Sequence, residues 1–428
     1  MSENFIYFGQ KTYLGAVAPF GIGDVDARRH IYVIGQTGSG KSTLLRNIVL
    51  QRLEAGHGLA LLDPHGDLAE ELLHHFPPSR ADDLVYFNPS DTDFPVGFNP
   101  LANVPERDRP LVAAGLVSAF KGIWRESWGP RLEYILANTI AALLDAQNTS
   151  LLGVNRMLAD EEYRTWVVGQ IRDPFVRAFW TDEFANYDPR FLREAIAPIQ
   201  NKLGQLFLSP PLRNILGQVG NKLNLRFMMD TSRVLIANLA KGRLGAEPAN
   251  LLGALLAAQF QHAAMTRADI PEGERRDFHL IIDEFHNFTT GSLAVGLAEA
   301  RKYRLSLTLA HQYLDQLTPE TRAAVFGNVG TIVAFQVGHI DAVALAADFG
   351  QEFVAGQFAD LDRHEVLVRT LSNGTRDVPF RGKTMAPISR RHGRHHKLIQ
   401  RSREKYATKR SVVEARLHRW LPHRTMLE

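Results

Sequence analysis

Eight consecutive residues, Gly35-Gln36-Thr37-Gly38-Ser39-Gly40-Lys41-Ser42, narrow what this chain can fold into more than any other stretch. They satisfy G-x-x-x-x-G-K-[ST] at every fixed position. An apolar, β-branched run at 30–34 precedes them, and Leu44, Leu45, Ile48, Val49 and Leu53 follow at helical spacing over 41–53. A strand, a glycine-rich turn and a helix in that order begin a parallel sheet covered by helices. Glycines at 35, 38 and 40 let the main chain curl around a polyanion with its N–H groups turned inward. The start of the helix adds the positive end of its dipole. The expected cradle for ATP with magnesium is therefore Gly35, Gln36, Thr37, Gly38, Ser39, Gly40, Lys41, Ser42 and Thr43. Lys41 is expected to reach the β- and γ-phosphates, and the Ser42 hydroxyl to bind Mg2+.

The alternation continues with a strand at 58–62 ending in Asp63-Pro64, a helix from 67 to about 75 and a strand at 84–87. It stops near Asn99-Pro100. Between 104 and 228 the apolar residues fall at helical spacing, as in Leu132, Ile135, Leu136, Ile140, Leu143 and Leu144, with prolines at 110, 130, 174, 189, 198 and 210. It resumes with strands at 233–239, 279–283, 305–310 and 330–336 and intervening helices near 247–265, 293–303 and 319–326. Two further runs, 364–370 and 376–384, flank Ser372-Asn373-Gly374, a hairpin signal. The expected organisation is the first part of a P-loop ATPase domain (1–103), a mostly helical insertion (104–228), the second part of the ATPase domain (229–386) and a basic tail (387–428). The expected fold class is α/β, with a mostly parallel sheet flanked by helices and a mostly helical insertion.

Leu280-Ile281-Ile282-Asp283-Glu284 is an apolar strand closed by two carboxylates. Asp283 is the expected magnesium partner through water, and Glu284 the general base for the attacking water. One helix and one strand later, Gln312 closes another apolar run. In a parallel sheet the carboxyl ends of the strands share one edge, so Gln312 is placed to sense the γ-phosphate or to orient water. Arg301, Lys302 and Arg304 lie between those strands. Arg301 is favoured as an arginine reaching a neighbouring subunit's nucleotide, with Arg304 and Lys302 as alternatives and Arg322 more remote. Asp63, His65 and Asp67 read as a tight turn rather than a metal site. His392, His395 and His396 read as a basic patch.

Charge is unevenly spread. The chain carries a net +3 overall, yet from Arg390 onward twelve Lys or Arg face only Glu404, Glu414 and Glu428. This is either a polyanion-binding tail, with DNA the first candidate, or a solvated terminus. The absence of cysteine excludes disulfide frameworks, thiolate zinc sites and cysteine nucleophiles. No basic-then-apolar leader opens the sequence. The longest apolar stretch, 251–265, is broken by Gln259, Gln261 and His262, so a cytoplasmic protein is expected.

Taken together, 28–384 resembles the FtsK–HerA superfamily of ring ATPases, and in particular the soluble motor of conjugative coupling proteins of type IV secretion. The resemblance rests on 30–42, Leu61-Leu62-Asp63-Pro64-His65-Gly66-Asp67, Gly97-Phe98-Asn99-Pro100-Leu101, 280–288, and Ala300-Arg301-Lys302-Tyr303 leading to Gln312. It implies a RecA-like fold with an inserted all-α domain, and a homohexamer with ATP sites between subunits and DNA threaded through a central channel. Lys41, Ser42, Asp283, Glu284 and Gln312 match its motif positions, and Arg301 its finger region. Coupling proteins carry N-terminal transmembrane helices, whereas about 29 non-membrane residues precede the first expected strand here. That leaves a cytosolic motor or one recruited to the inner face of the membrane by a partner. A DNA translocase is the leading expectation, with Lys241, Arg243 and the insertion as guesses for the pore. The alternatives are a secretion ATPase that moves protein and an ATPase scaffold that activates a partner nuclease.

Overall fold

A computed structural model describes residues 5–13, 15–372 and 374–421. The strands, in chain order, are β1 (Phe5–Tyr13), β2 (Ala16–Gly23), β3 (Ile31–Ile34), β4 (Gly58–Asp63), β5 (Leu84–Phe87), β6 (Val234–Asn238), β7 (Phe278–Ile282), β8 (Leu305–His311), β9 (Thr331–Ala334), β10 (Glu365–Arg369), β11 (Leu371–Ser372), β12 (Thr375–Arg376) and β13 (Phe380–Thr384). Eleven of them form one sheet in the order β2-β1-β13-β10-β9-β3-β8-β7-β4-β6-β5. The central strands β9, β3, β8, β7, β4 and β6 run parallel. Each is buried along its whole length, because helices cover both faces. That explains why these strands read as continuous apolar runs and not as alternating ones.

The chain divides into two compact units. The first holds the described residues of Met1–Tyr86, Leu225–Ala240 and Ala263–Arg401, and the second those of Phe87–Asn224, Lys241–His262 and Ser402–Glu428. In the first, Val33, Leu45, Val49, Leu61, Ile236, Ile281, Ala310, Val333 and Val368 belong to one buried apolar cluster. The second is helical. Pro110, Pro130, Pro174, Pro189 and Pro210 each stand in the first turn of a helix, where a missing N–H costs nothing. Pro198 alone of that set lies inside one, Pro189–Phe207. Asn99, fully buried, ties this unit together. Its Nδ2 donates to the carbonyls of Thr149 and Val219, both at 2.8 Å, and its Oδ1 accepts from Leu101 N at 3.1 Å.

Two features depart from the sequence reading. The first strand is not at 30–34: β1 and β2 precede it, and β1 pairs antiparallel with both β2 and β13. In the basic C-terminal segment, His395–Tyr406 and Arg410–Trp420 are helices with Leu398, Val413 and Leu417 buried. The expected turn at 372–374 lies between β11 and β12, with Asn373 outside the described residues. Among the described residues no helix is long and apolar enough to cross a membrane.

Candidate nucleotide site

The glycine-rich loop joins β3 to the helix Lys41–Glu54. Gly38 and Gly40 have φ of 82° and 123°, backbone that side-chain-bearing residues adopt only under strain. The helix starts at Gly40 without a side-chain cap, so its first N–H groups lack intrahelical acceptors and are left for an anion. The Lys41 ammonium donates to the carbonyls of Gly35 at 2.6 Å and Gln36 at 3.0 Å. Burial lowers its pKa, and Glu284 and Asp283 act in the opposite direction, so both carboxylates lie within electrostatic reach of it. Gln36, Thr37, Gly38 and Ser42 are exposed, Gly40 and Thr43 half-buried. Ser39 is buried, and its Oγ has no hydrogen-bond partner. An unsatisfied hydroxyl, an uncapped helix start and a lysine folded onto its own loop fit a triphosphate.

Asp283 follows β7 directly. Its N–H donates to Leu62 O at 3.1 Å, which sets it beside Asp63 at the neighbouring end of β4. Burial above all, then the charges of Asp63 and Glu284, push the Asp283 carboxyl up to about 7. Asp63 is also raised by burial, although backbone N–H groups of Ala69, Gly66 and His65 favour its charged form. Its Oδ1 accepts from His65 N and its Oδ2 from Ala69 N, each at 2.9 Å, so the Asp-Pro-His-Gly-Asp stretch forms a capped turn. Among the described residues no three His, Asp or Glu side chains converge in a metal-binding group.

Glu284 occupies the left-handed region (φ 45°, ψ 49°), a strained setting for a residue with a Cβ. Gln312 Nε2 donates to its Oε1 at 2.9 Å, and His286 Nδ1 lies 3.4 Å from its Oε2. Gln316 organises the turn after β8. Its Oε1 accepts from the backbone N–H of Gln312 at 3.1 Å and of Tyr313 at 3.2 Å, and stands 3.3 Å from His311 Nδ1. Its Nε2 lies 3.3 Å from His286 Nε2. His311 also bonds the Tyr32 hydroxyl, and burial, followed by the charge of His286, lowers its pKa to about 3. The structure thus brings Lys41, Asp283, Glu284 and Gln312 to one sheet edge and adds Asp63, His286 and Gln316. In the sequence Asp63 reads as part of a tight turn bordering the nucleotide, not as a metal ligand. It has the same signature as Asp283, an acid closing an apolar strand; Gln316 and His286 carry no such signal.

Arg301 is not among them. It lies on the one-turn helix Arg301–Tyr303 that leads into the start of β8, is exposed, and acts electrostatically on His30 at the start of β3. Strand starts form the edge opposite to the glycine-rich loop. Arg304 is engaged with Asp277 at 3.7 Å, and Lys302 is exposed. Lys241 and Arg243 belong to the helix Lys241–Leu244 of the second unit. The His395 ring lies 4.2 Å from that of His74 and 3.9 Å from that of His396, with the ring planes tilted by 48° and 42°.

The family described as helicase HerA, central domain, matches residues 22–243, just over half of the chain. No curated protein matches it in sequence. Among solved structures, the bacterial conjugative coupling protein TrwBΔN70 superposes with a TM-score of 0.65 at 15% identity, over 87% of this chain and 88% of that one. TrwB in complex with ADP and Mg2+ gives 0.64 at 16% identity, over 90% and 91%. VirB4 of Thermoanaerobacter pseudethanolicus gives 0.53 at 14% identity, over 89% and 96%. These likenesses show a shared fold.

Proposed function

The chain belongs to the HerA helicase central-domain family of P-loop NTPases, and from that premise we propose that it is an ATP-hydrolysing motor that binds and moves DNA. The observation that carries the catalytic part is the 2.9 Å hydrogen bond from Gln312 to Glu284 at the sheet edge that also presents Lys41. A base for water and a side chain able to report on the γ-phosphate are joined before any ligand arrives.

Gly35 to Thr43, Lys41 among them, would hold the phosphates, and Ser42 and Asp283 would hold the metal. Bound Mg·ATP supplies the labile phosphoanhydride. Glu284 takes the proton of the attacking water, and Gln312 holds Glu284 in place until the γ-phosphate competes for its amide. Lys41, released from the carbonyls of Gly35 and Gln36, stabilises developing charge on the phosphates. Arg301, exposed on the opposite edge, serves the nucleotide of an adjacent copy in a ring, in keeping with a homohexamer.

DNA is the proposed substrate because the C-terminal segment presents exposed Arg391, Arg394 and Lys397, a phosphate-gripping pattern without base readout. The setting is a cytoplasmic motor of conjugative or related mobile-element transfer, recruited to a membrane by a partner. The test is ATP turnover by the full chain with and without single- and double-stranded DNA at two salt concentrations. Stimulation that fades at high salt supports a DNA motor. No response to either DNA at low salt would sink it and leave protein transport or nuclease activation.

A further inference from the structure

Strand order gives the glycine-rich loop two distinct sides. Asp283, Glu284 and Gln312 follow β7 and β8, on one side of β3, whereas β9 and β10 lie on the other. The γ end of a triphosphate must face the acids, so its sugar-bearing end faces β9 and β10. From that side Phe335 packs against Gly35 and Gly40, and two residues hydrogen-bond the loop. Gln336 accepts the Gln36 N–H on its carbonyl at 2.8 Å. His364, just before β10, donates its backbone N–H to Ser39 O at 2.9 Å, while its own carbonyl accepts from Thr384 N at 2.9 Å.

The His364 side chain has no such engagement. Its Nδ1 is buried and has no hydrogen-bond partner. A Cβ placed on Gly40 would stand 2.6 Å from that nitrogen, so the imidazole lies directly on the glycine that starts the helix. Ser39 Oγ, in the same turn, is the second buried polar atom without a partner. His364 also holds a φ of 69°, left-handed backbone, fixed by its hydrogen bonds to Ser39 and Thr384. Two unsatisfied polar atoms on one turn, held by a strained residue, mark a place where a ligand completes the bonding.

We propose that His364 is a nucleotide-binding residue whose Nδ1 hydrogen-bonds an oxygen at the sugar-bearing end of the bound nucleoside triphosphate, beside Ser39. This rests on the reading of residues 35–43 as a triphosphate cradle. It gives the site a means of preferring a nucleotide to bare polyphosphate, which the loop alone lacks.

The experiment uses the full chain with magnesium and measures binding of ATP and of inorganic tripolyphosphate by titration calorimetry, together with steady-state ATP turnover. His364→Gly removes the imidazole without a penalty at φ 69°, and His364→Asn keeps a short polar side chain that tolerates the left-handed region. His364→Gly is expected to weaken ATP about tenfold, raising KM with kcat little changed, and to leave tripolyphosphate binding as it was. His364→Asn is expected to recover most of the loss. Unchanged ATP affinity in His364→Gly overturns the proposal. Equal weakening of ATP and tripolyphosphate also overturns it, since His364 then only shapes the loop. If the unsubstituted chain binds neither ligand, the cradle reading itself fails and takes this one with it.

Discussion

At the residue scale the site is a set of charges held apart from water and from their final partners. Lys41→Ala should remove both ATP binding and turnover, whereas Glu284→Gln should keep binding and lower kcat by at least about a hundredfold, as loss of a general base does. Gln316 contacts no reacting atom. It positions Gln312, so Gln316→Ala should lower kcat with little change in KM, visible in steady-state kinetics. Asp283 offers a test by pH. Its carboxyl is raised to about 7 in the fold, from an ordinary value of 3.8. Over that window the folded chain binds more protons than the unfolded one, so this group's contribution to stability is fully present below about pH 4 and is lost as pH rises through 7. Asp283→Asn, which carries no charge to bury, should therefore melt several degrees higher than the unsubstituted chain at about pH 8 without metal. At about pH 5 the difference should shrink. Equal melting temperatures at both pH values would contradict the burial of that charge.

At the scale of elements, buried polar clamps fix segments that hydrophobic packing alone leaves free. Asn99 is the clearest. Replacing it by Ala strands the buried carbonyl of Thr149 and the part-buried one of Val219 and should cost about 2–4 kcal/mol, read from denaturant unfolding of the full chain. Sequence showed Asn99 within Gly97-Phe98-Asn99-Pro100-Leu101 but not what it holds, because its partners, Thr149 and Val219, are distant along the chain. The same distinction separates what was legible from what was not. β3, β4, β7 and β8 announced themselves as unbroken apolar runs, since a doubly covered strand needs apolar residues on both faces. Lys41 and Ser42 were picked out by the glycine-rich motif, and Asp283, Glu284 and Gln312 by their place at the end of such a run. β1 was missed although Ile6 and Phe8 alternate inward and β2 follows it directly; only its other neighbour, β13, which joins the pair to the sheet, lies at the far end of the sequence. The helices His395–Tyr406 and Arg410–Trp420 were hidden by their charge; only Leu398, Val413 and Leu417 betray a buried face. Asn373-Gly374 and the alternating glycines, by contrast, are local signals that need no tertiary partner.

At the scale of the whole molecule, the helices His395–Tyr406 and Arg410–Trp420 bury Leu398, Val413 and Leu417, so cutting them away would uncover apolar surface and blur any effect on DNA. Charge removal is the cleaner test. Arg391→Ala, Arg394→Ala and Lys397→Ala together should weaken DNA binding and reduce the slope of log affinity against log salt by about one for each phosphate no longer neutralised, while ATP binding without DNA stays as it was. Unaltered salt dependence would exclude this segment from the DNA surface. The strand order carries a consequence of another kind. β3, which leads into the glycine-rich loop, lies between β8 and β9, both made long after it on the ribosome. A nascent chain therefore exposes an unpaired, wholly apolar Ile31–Ile34 until Leu305–His311 and Thr331–Ala334 have emerged. Such distant pairing makes for slow, chaperone-dependent maturation, and partial translation products should be insoluble and unable to hydrolyse ATP.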